Sequence, residues 1–247
     1  MFSVKKFIFP VLLFLISQQI SAQNRIPLNR HFFEIADLDT EPAIYTRLQN
    51  KSETEETVVY IFDQKNRKVS QTKIGLNAED NFNEELTENF DSAGNHISTN
   101  LLNLDNSKYL TEYFDKGQKK AQVLYRGDNT YEIWRNNPES AYTTDHDDFK
   151  PSTDRDELNQ FLAKNLKYPQ TARNVKAEGT VMVGVLVSEL GEVREVELAN
   201  EVQVHRDLGK EAVRVIKLFK GPFKPALNLE GQPIEAWIYI PIRFKLS

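Results

Sequence analysis

Nine consecutive residues, Gly179-Thr180-Val181-Met182-Val183-Gly184-Val185-Leu186-Val187, restrict this chain more than any other stretch. Valine at every second position builds one apolar row along one face of a strand, and β-branched side chains favour that backbone. The row has to be covered. Glu189-Leu190-Gly191-Glu192 turns the chain, with Gly191 suited to positive φ, and Val193 to Ala199 returns as a second strand. Arg206 to Phe219 follows at helical spacing, with Leu208, Ala212, Val215, Ile216 and Phe219 in one stripe. Pro222 and Pro225 end that helix, Asn228 to Gln232 is a loop, and Ala236 to Leu246 is a final strand. Upstream, Asp154 to Leu166 reads as a helix capped by Thr153 or Asp154, and Gln170 to Val175 as a short helix after Pro169. The expectation is α+β, a three-stranded antiparallel sheet with helices on one face. Pro241 cannot donate a ladder bond, which suits an edge position for the last strand.

The first half is written differently. Thr57 to Phe62, Lys68 to Ile74, Leu86 to Phe90, His96 to Leu102, Tyr109 to Phe114, Lys119 to Tyr125 and Thr130 to Trp134 read as short strands. The repeated unit is Phe-Asp, a polar turn and a return strand, with Phe62, Phe90 and Phe114 opening the turns. Asn or Gly in each turn supplies positive φ, and the Asp side chain can accept backbone N–H groups. Single hairpins are marginal, so several are expected to stack into one antiparallel β-hairpin repeat domain. Aromatic hairpins of this kind resemble MORN-like repeats. The acidic, polar stretch Asn81 to Glu88 reads as a loop. The expected division is residues 1–22 as a secretory signal, 23–144 as hairpin repeats, 145–153 as a linker and 154–247 as the C-terminal domain.

Charge separates the same halves. Residues 24–150 carry a net −8 and residues 151–247 a net +1, within a total of −5. That balance gives no basis for a nucleic-acid partner. Lys5 and Lys6, the apolar run Phe7 to Ile16 and the small pair Ser21-Ala22 form a signal, with cleavage expected after Ala22 and export to the periplasm. The alternative is an uncleaved inner-membrane anchor, although a spanning helix needs about 20 apolar residues. With no cysteine, disulfides, thiol chemistry and thiolate metal sites are excluded.

No catalytic constellation appears. His31, His96, His146 and His205 are scattered, and there is no phosphate loop, nucleophile elbow or paired carboxylate site. Asp145-His146-Asp147-Asp148 reads as a solvated linker rather than a metal site. The expectation is a non-enzyme without catalytic residues, cofactor or metal.

The C-terminal motifs, taken together, are more specific. They are Tyr168-Pro169 with Ala172-Arg173, then Gly179-Thr180-Val181, Gly191 with Val193, and Leu208 with Ala212. Phe223-Lys224-Pro225, Gly231-Gln232-Pro233 and Pro241-Ile242-Arg243-Phe244 complete the order. This run resembles the C-terminal domain of TonB, the periplasmic protein that transmits energy to outer-membrane transporters. Phe223 stands where the family commonly has Trp, and Lys167 where the best-known transducers carry Gln. Hairpins stand where a Pro-rich spacer would. The resemblance implies β-strand addition to a sheet edge, with Lys167, Tyr168, Pro169, Trp237, Tyr239, Pro241 and Arg243 as partner-binding residues. The implied partner is a TonB-dependent outer-membrane receptor or another envelope protein. Three readings stay open: a periplasmic binding module, an inner-membrane-anchored transducer driven by proton motive force, and an envelope scaffold whose hairpins bind the partner. An open edge can also pair with its own copy, so a homodimer is a further expectation.

Overall fold

The computed structural model describes residues 25–246 apart from 37, 40, 52–55 and 79, so the expected signal lies outside the described residues. No described helix is long and apolar enough to cross a membrane. The chain is α+β. Its first ten strands form one antiparallel sheet in strict chain order. They are β1 (Ile26–Leu28), β2 (Tyr45–Lys51), β3 (Thr57–Asp63), β4 (Lys68–Asn77) and β5 (Phe82–Phe90). β6 (His96–Asn103), β7 (Tyr109–Asp115), β8 (Gln118–Tyr125), β9 (Tyr131–Arg135) and β10 (Tyr142–Thr144) complete it.

One turn recurs through the molecule. Asp63 and Asp91 each accept the backbone N–H groups two and four residues on, at 2.8–2.9 Å. The residue three on takes positive φ, +58° at Asn66 and +85° at Gly94. Pairing slips by one residue just before these turns, at Ile61/Phe62 and Asn89/Phe90. This is a type I turn closed by a left-handed residue and a bulge. Lys116 and Gly117, both at positive φ, make the tighter turn after Asp115. The repeated turns leave Phe90, His96 and Phe114 in ring contact at 5.8 and 4.6 Å, with Lys68 Nζ 4.0 Å above Phe90.

The loop expected over residues 81–88 is instead the greater part of β5, paired with β4 and β6 along its length. Most residues of this sheet are only half-buried, so a strand here has no need of an apolar face. Polar side chains satisfy each other across it. Thr72 meets Thr87 at 2.9 Å, and Asn100 donates to Thr111 at 2.7 Å, all four in one register row.

The C-terminal part begins with β11 (Ser152–Thr153), α1 (Arg155–Asn165) and α2 (Gln170–Asn174), followed by β12 (Gly179–Val187) and β13 (Val193–Leu198). Then come α3 (Arg206–Leu218), β14 (Phe223–Lys224), β15 (Ala226–Leu227), β16 (Pro233–Ile234) and β17 (Ala236–Phe244). Asp154 caps α1 by accepting from the N–H groups of Asp156 and Glu157. The three-stranded sheet runs β13-β12-β17. Val181, Val183, Val185 and Val187 pack with Leu158, Ala172, Leu208, Ala212, Val215, Ile240, Ile242 and Phe244 into one core.

The segment before β11 is not the solvated linker expected over residues 145–153. Asp147 is 6% exposed, ion-paired with Lys150 at 2.9 Å and accepting from the Phe149 N–H. Asp148 pairs with Arg135, and its carbonyl accepts from the Leu227 N–H at 2.7 Å. β11 pairs with β14. Acidic residues tolerate this burial because a cation or backbone donor faces each of them.

Candidate partner-binding edge

Met182, at the centre of β12, determines which backbone groups of β17 are free. Its N–H donates to Asn200 Oδ1 at 2.8 Å, and its carbonyl accepts from the Ala199 N–H at 2.9 Å. Both partners lie on the β13 side. Pro241 stands opposite Met182 on the other side. That pair is therefore a non-hydrogen-bonded one, and the bonded pairs alternate with it: Val181 with Ile242, Val183 with Ile240, Val185 with Ile238. The backbone polar groups of Trp237, Tyr239 and Arg243, and the Pro241 carbonyl, consequently point to the rim. Among the described residues β17 pairs with β12 alone. By alternation the same four side chains share the outer face, opposite the core row of Ile238, Ile240, Ile242 and Phe244.

That outer face is partly occupied by a turn from the first sheet. His31 lies over Gly184, its ring edge-on to Trp237 at 4.7 Å and to Tyr239 at 5.6 Å. Its Nε2 sits 2.7 Å from Glu197 Oε2 and its Nδ1 3.2 Å from the Tyr239 hydroxyl. Arg30 reaches Glu195 and Glu197 at 3.6 and 3.5 Å, and Asn29 Nδ2 donates to the Ala199 carbonyl at 2.9 Å. Gly184 lets the imidazole approach closely, since a Cβ there would meet His31 and Trp237 at 3.2 Å and press on both rings. Burial, then the charges of Tyr45 and Glu197, raise the Tyr239 phenol above its ordinary pKa.

The seven expected contact residues divide into two groups. Trp237, Tyr239, Pro241 and Arg243 come together on one rim. Lys167, Tyr168 and Pro169 lie at the far end of β17, where the Tyr168 ring meets Phe244 edge-on at 5.7 Å. The Tyr168 hydroxyl donates to the Ala177 carbonyl, so this side chain is turned inward. The Lys167 N–H donates to Glu211 Oε1 at 2.8 Å, and Pro169 caps α2. An Arg214 bridge, then that backbone bond, hold the Glu211 carboxyl below its ordinary pKa. Asn29, Arg30 and His31 escaped sequence reasoning because their partners are more than 160 residues away. No local spacing signals such a contact.

The acidic cluster carries its own internal partners. His146 Nδ1 lies 2.6 Å from Asp145, and its Nε2 3.2 Å from Asp148. Among the described residues no three His, Cys, Asp or Glu side chains gather as a metal site.

Residues 164–246 match the family model of the Gram-negative bacterial TonB protein C-terminal. No curated protein and no solved structure matches the chain.

Proposed function

Because residues 164–246 form a TonB C-terminal domain, we propose that the chain is a TonB-like, non-enzymatic envelope protein of transport whose β17 rim takes an added strand. The strand comes from a TonB-dependent outer-membrane receptor or another envelope protein. The observation that carries this reading is the outward backbone of Trp237, Tyr239 and Arg243, with the carbonyl of Pro241. An extended guest meets three donors and four acceptors there, while its side chains read Tyr239 and Arg243 on the outer face. Each added backbone bond contributes about 1 kcal/mol net. Export follows cleavage after Ala22, which places the mature chain in the periplasm.

The direct test titrates a TonB-box peptide into the mature chain and follows backbone amide signals. Saturable shifts confined to Ala236–Phe244 are expected. Arg243→Pro removes one outward donor while sparing the bonds to β12, and weakens binding about tenfold. Absence of binding, or shifts elsewhere, rejects the β17 reading.

The apolar run Phe7 to Ile16 also supports a second reading, an inner-membrane-anchored transducer. N-terminal sequencing of protein from its own cells separates the two. A chain starting at Gln23 excludes the anchor, and an intact Met1 in the membrane fraction supports it.

A further inference from the structure

The C-terminal sheet has a second rim, on β13, and it faces a groove. Val193 to Glu197 form one wall, and Ile216, Lys217, Phe219 and Lys220 of α3 and its end form the other, around a space of about 530 Å³. The same alternation that frees β17 applies here. Gly184 pairs with Glu197 and Leu186 with Glu195 through their backbones, so the N–H and carbonyl of Val196 turn outward. Arg194 is the unpaired residue of the adjacent bulge. The groove thus has an unused backbone rung on one side. On the other it has the covered apolar side chains Ile216 and Phe219, 3% and 5% exposed.

Its charge is also unspent. Lys217 and Lys220 are exposed, and neither has an ion-pair partner among the described residues. The acidic side chains of the same strand are already engaged: Glu195 and Glu197 point to the opposite face and meet Arg30 and His31. The cationic rim lies on the α3 side alone.

We propose that this groove is a second strand-docking site, independent of β17, for an extended segment of a partner protein. Its α3-facing side chains are small and uncharged at the centre, beside Val196 where Ile216 and Phe219 are already covered, and carboxylates flank them to reach Lys217 and Lys220. A second copy of this chain fits the rim less well. Antiparallel self-pairing keeps side chains on their own faces, so a second β13 offers Val196 and Leu198 to the α3 side and none of the carboxylates that Lys217 and Lys220 lack.

The test uses the mature chain and a synthetic probe, Asp-Thr-Val-Thr-Val-Thr-Asp, with backbone amide signals as the readout. Saturable shifts are expected at Val196, Ile216, Lys217 and Phe219. The same peptide with lysine in place of both aspartates binds at least tenfold more weakly. Lys217→Glu with Lys220→Glu weakens the aspartate peptide at least tenfold, with β12 signals unchanged to show that the fold is kept. Arg243→Pro leaves the affinity unaltered, which separates failure here from failure at β17. The proposal is overturned by shifts along Ala236–Phe244 instead, by equal binding of both peptides, or by no saturation up to about 1 mM peptide. Concentration-dependent dimer signals at Val193–Leu198 without peptide overturn it in favour of a second copy.

Discussion

His31 and Glu197, 166 positions apart, meet at 2.7 Å, and the imidazole is 2% exposed. The contact fastens the turn after β1 to the outer face of the C-terminal sheet. His31→Ala removes a ring that fills the space over Gly184 and strips partners from Glu197 and Tyr239. The expected loss is about 2–4 kcal/mol in denaturant unfolding. Trp237 emission shifts to the red as its edge becomes wet, while Trp134, 6% exposed in the first sheet, contributes a constant background. An unshifted spectrum refutes the latch.

Two glycines at φ +78° separate conformation from contact. Gly191 and Gly231 hold the same place in the same turn, after Ser188 and Asn228. A Cβ at Gly231 meets nothing within 4 Å, whereas one at Gly191 comes within 2.4 Å of the Phe223 carbonyl. Gly231→Ala should cost about 1–2 kcal/mol, the left-handed penalty alone. Gly191→Ala should cost about 3 kcal/mol or more, because β14 must move. Similar melting temperatures for the two variants contradict this account.

Pro241 interrupts the β17 rim, and prolines blunt open edges. Pro241→Ala restores one outward N–H without altering the bonds to β12. Sedimentation at increasing concentration should show a self-associating species absent from the parent, or the peptide affinity should rise several-fold. Neither change would mean that the rim does not pair.

Glu211 links α3 to the segment entering α2, and its pKa is depressed in the folded chain. A depressed carboxyl pKa gives stability that is fully present above the unfolded value of about 4.3 and lost as pH falls through the folded value. Glu211→Gln should therefore be less stable than the parent at pH 7, and the gap should close below about pH 4. A gap that persists in acid would assign the loss to packing.

The sequence made the C-terminal domain legible because its periodicities are unambiguous. The valine row of β12 and the Leu208–Phe219 stripe could be buried in only one way, and Pro241 marked an edge. Asp63 and Asp91 announced their turns through local hydrogen bonds that need no tertiary context. β5 was hidden because a half-exposed strand flanked by two others can be polar, so Asn83, Glu84 and Glu85 carried a loop's composition. The Asp147–Asp148 segment was hidden for a related reason, since its burial depends on Arg135 and Lys150. Likewise, Tyr168 shows its motif in sequence but not that its hydroxyl points inward.

The ten-stranded sheet is held to the C-terminal domain at both of its ends. Near β1, His31 rests on Gly184; near β9 and β10, Arg135 donates to the Asn228 carbonyl and Asp148 accepts from Leu227. A meander tethered only once could gain or shed hairpins freely. Tethered twice, it has a set span. Its strand number is a dimension of the whole molecule, and excising one hairpin should spring one of the two footings loose.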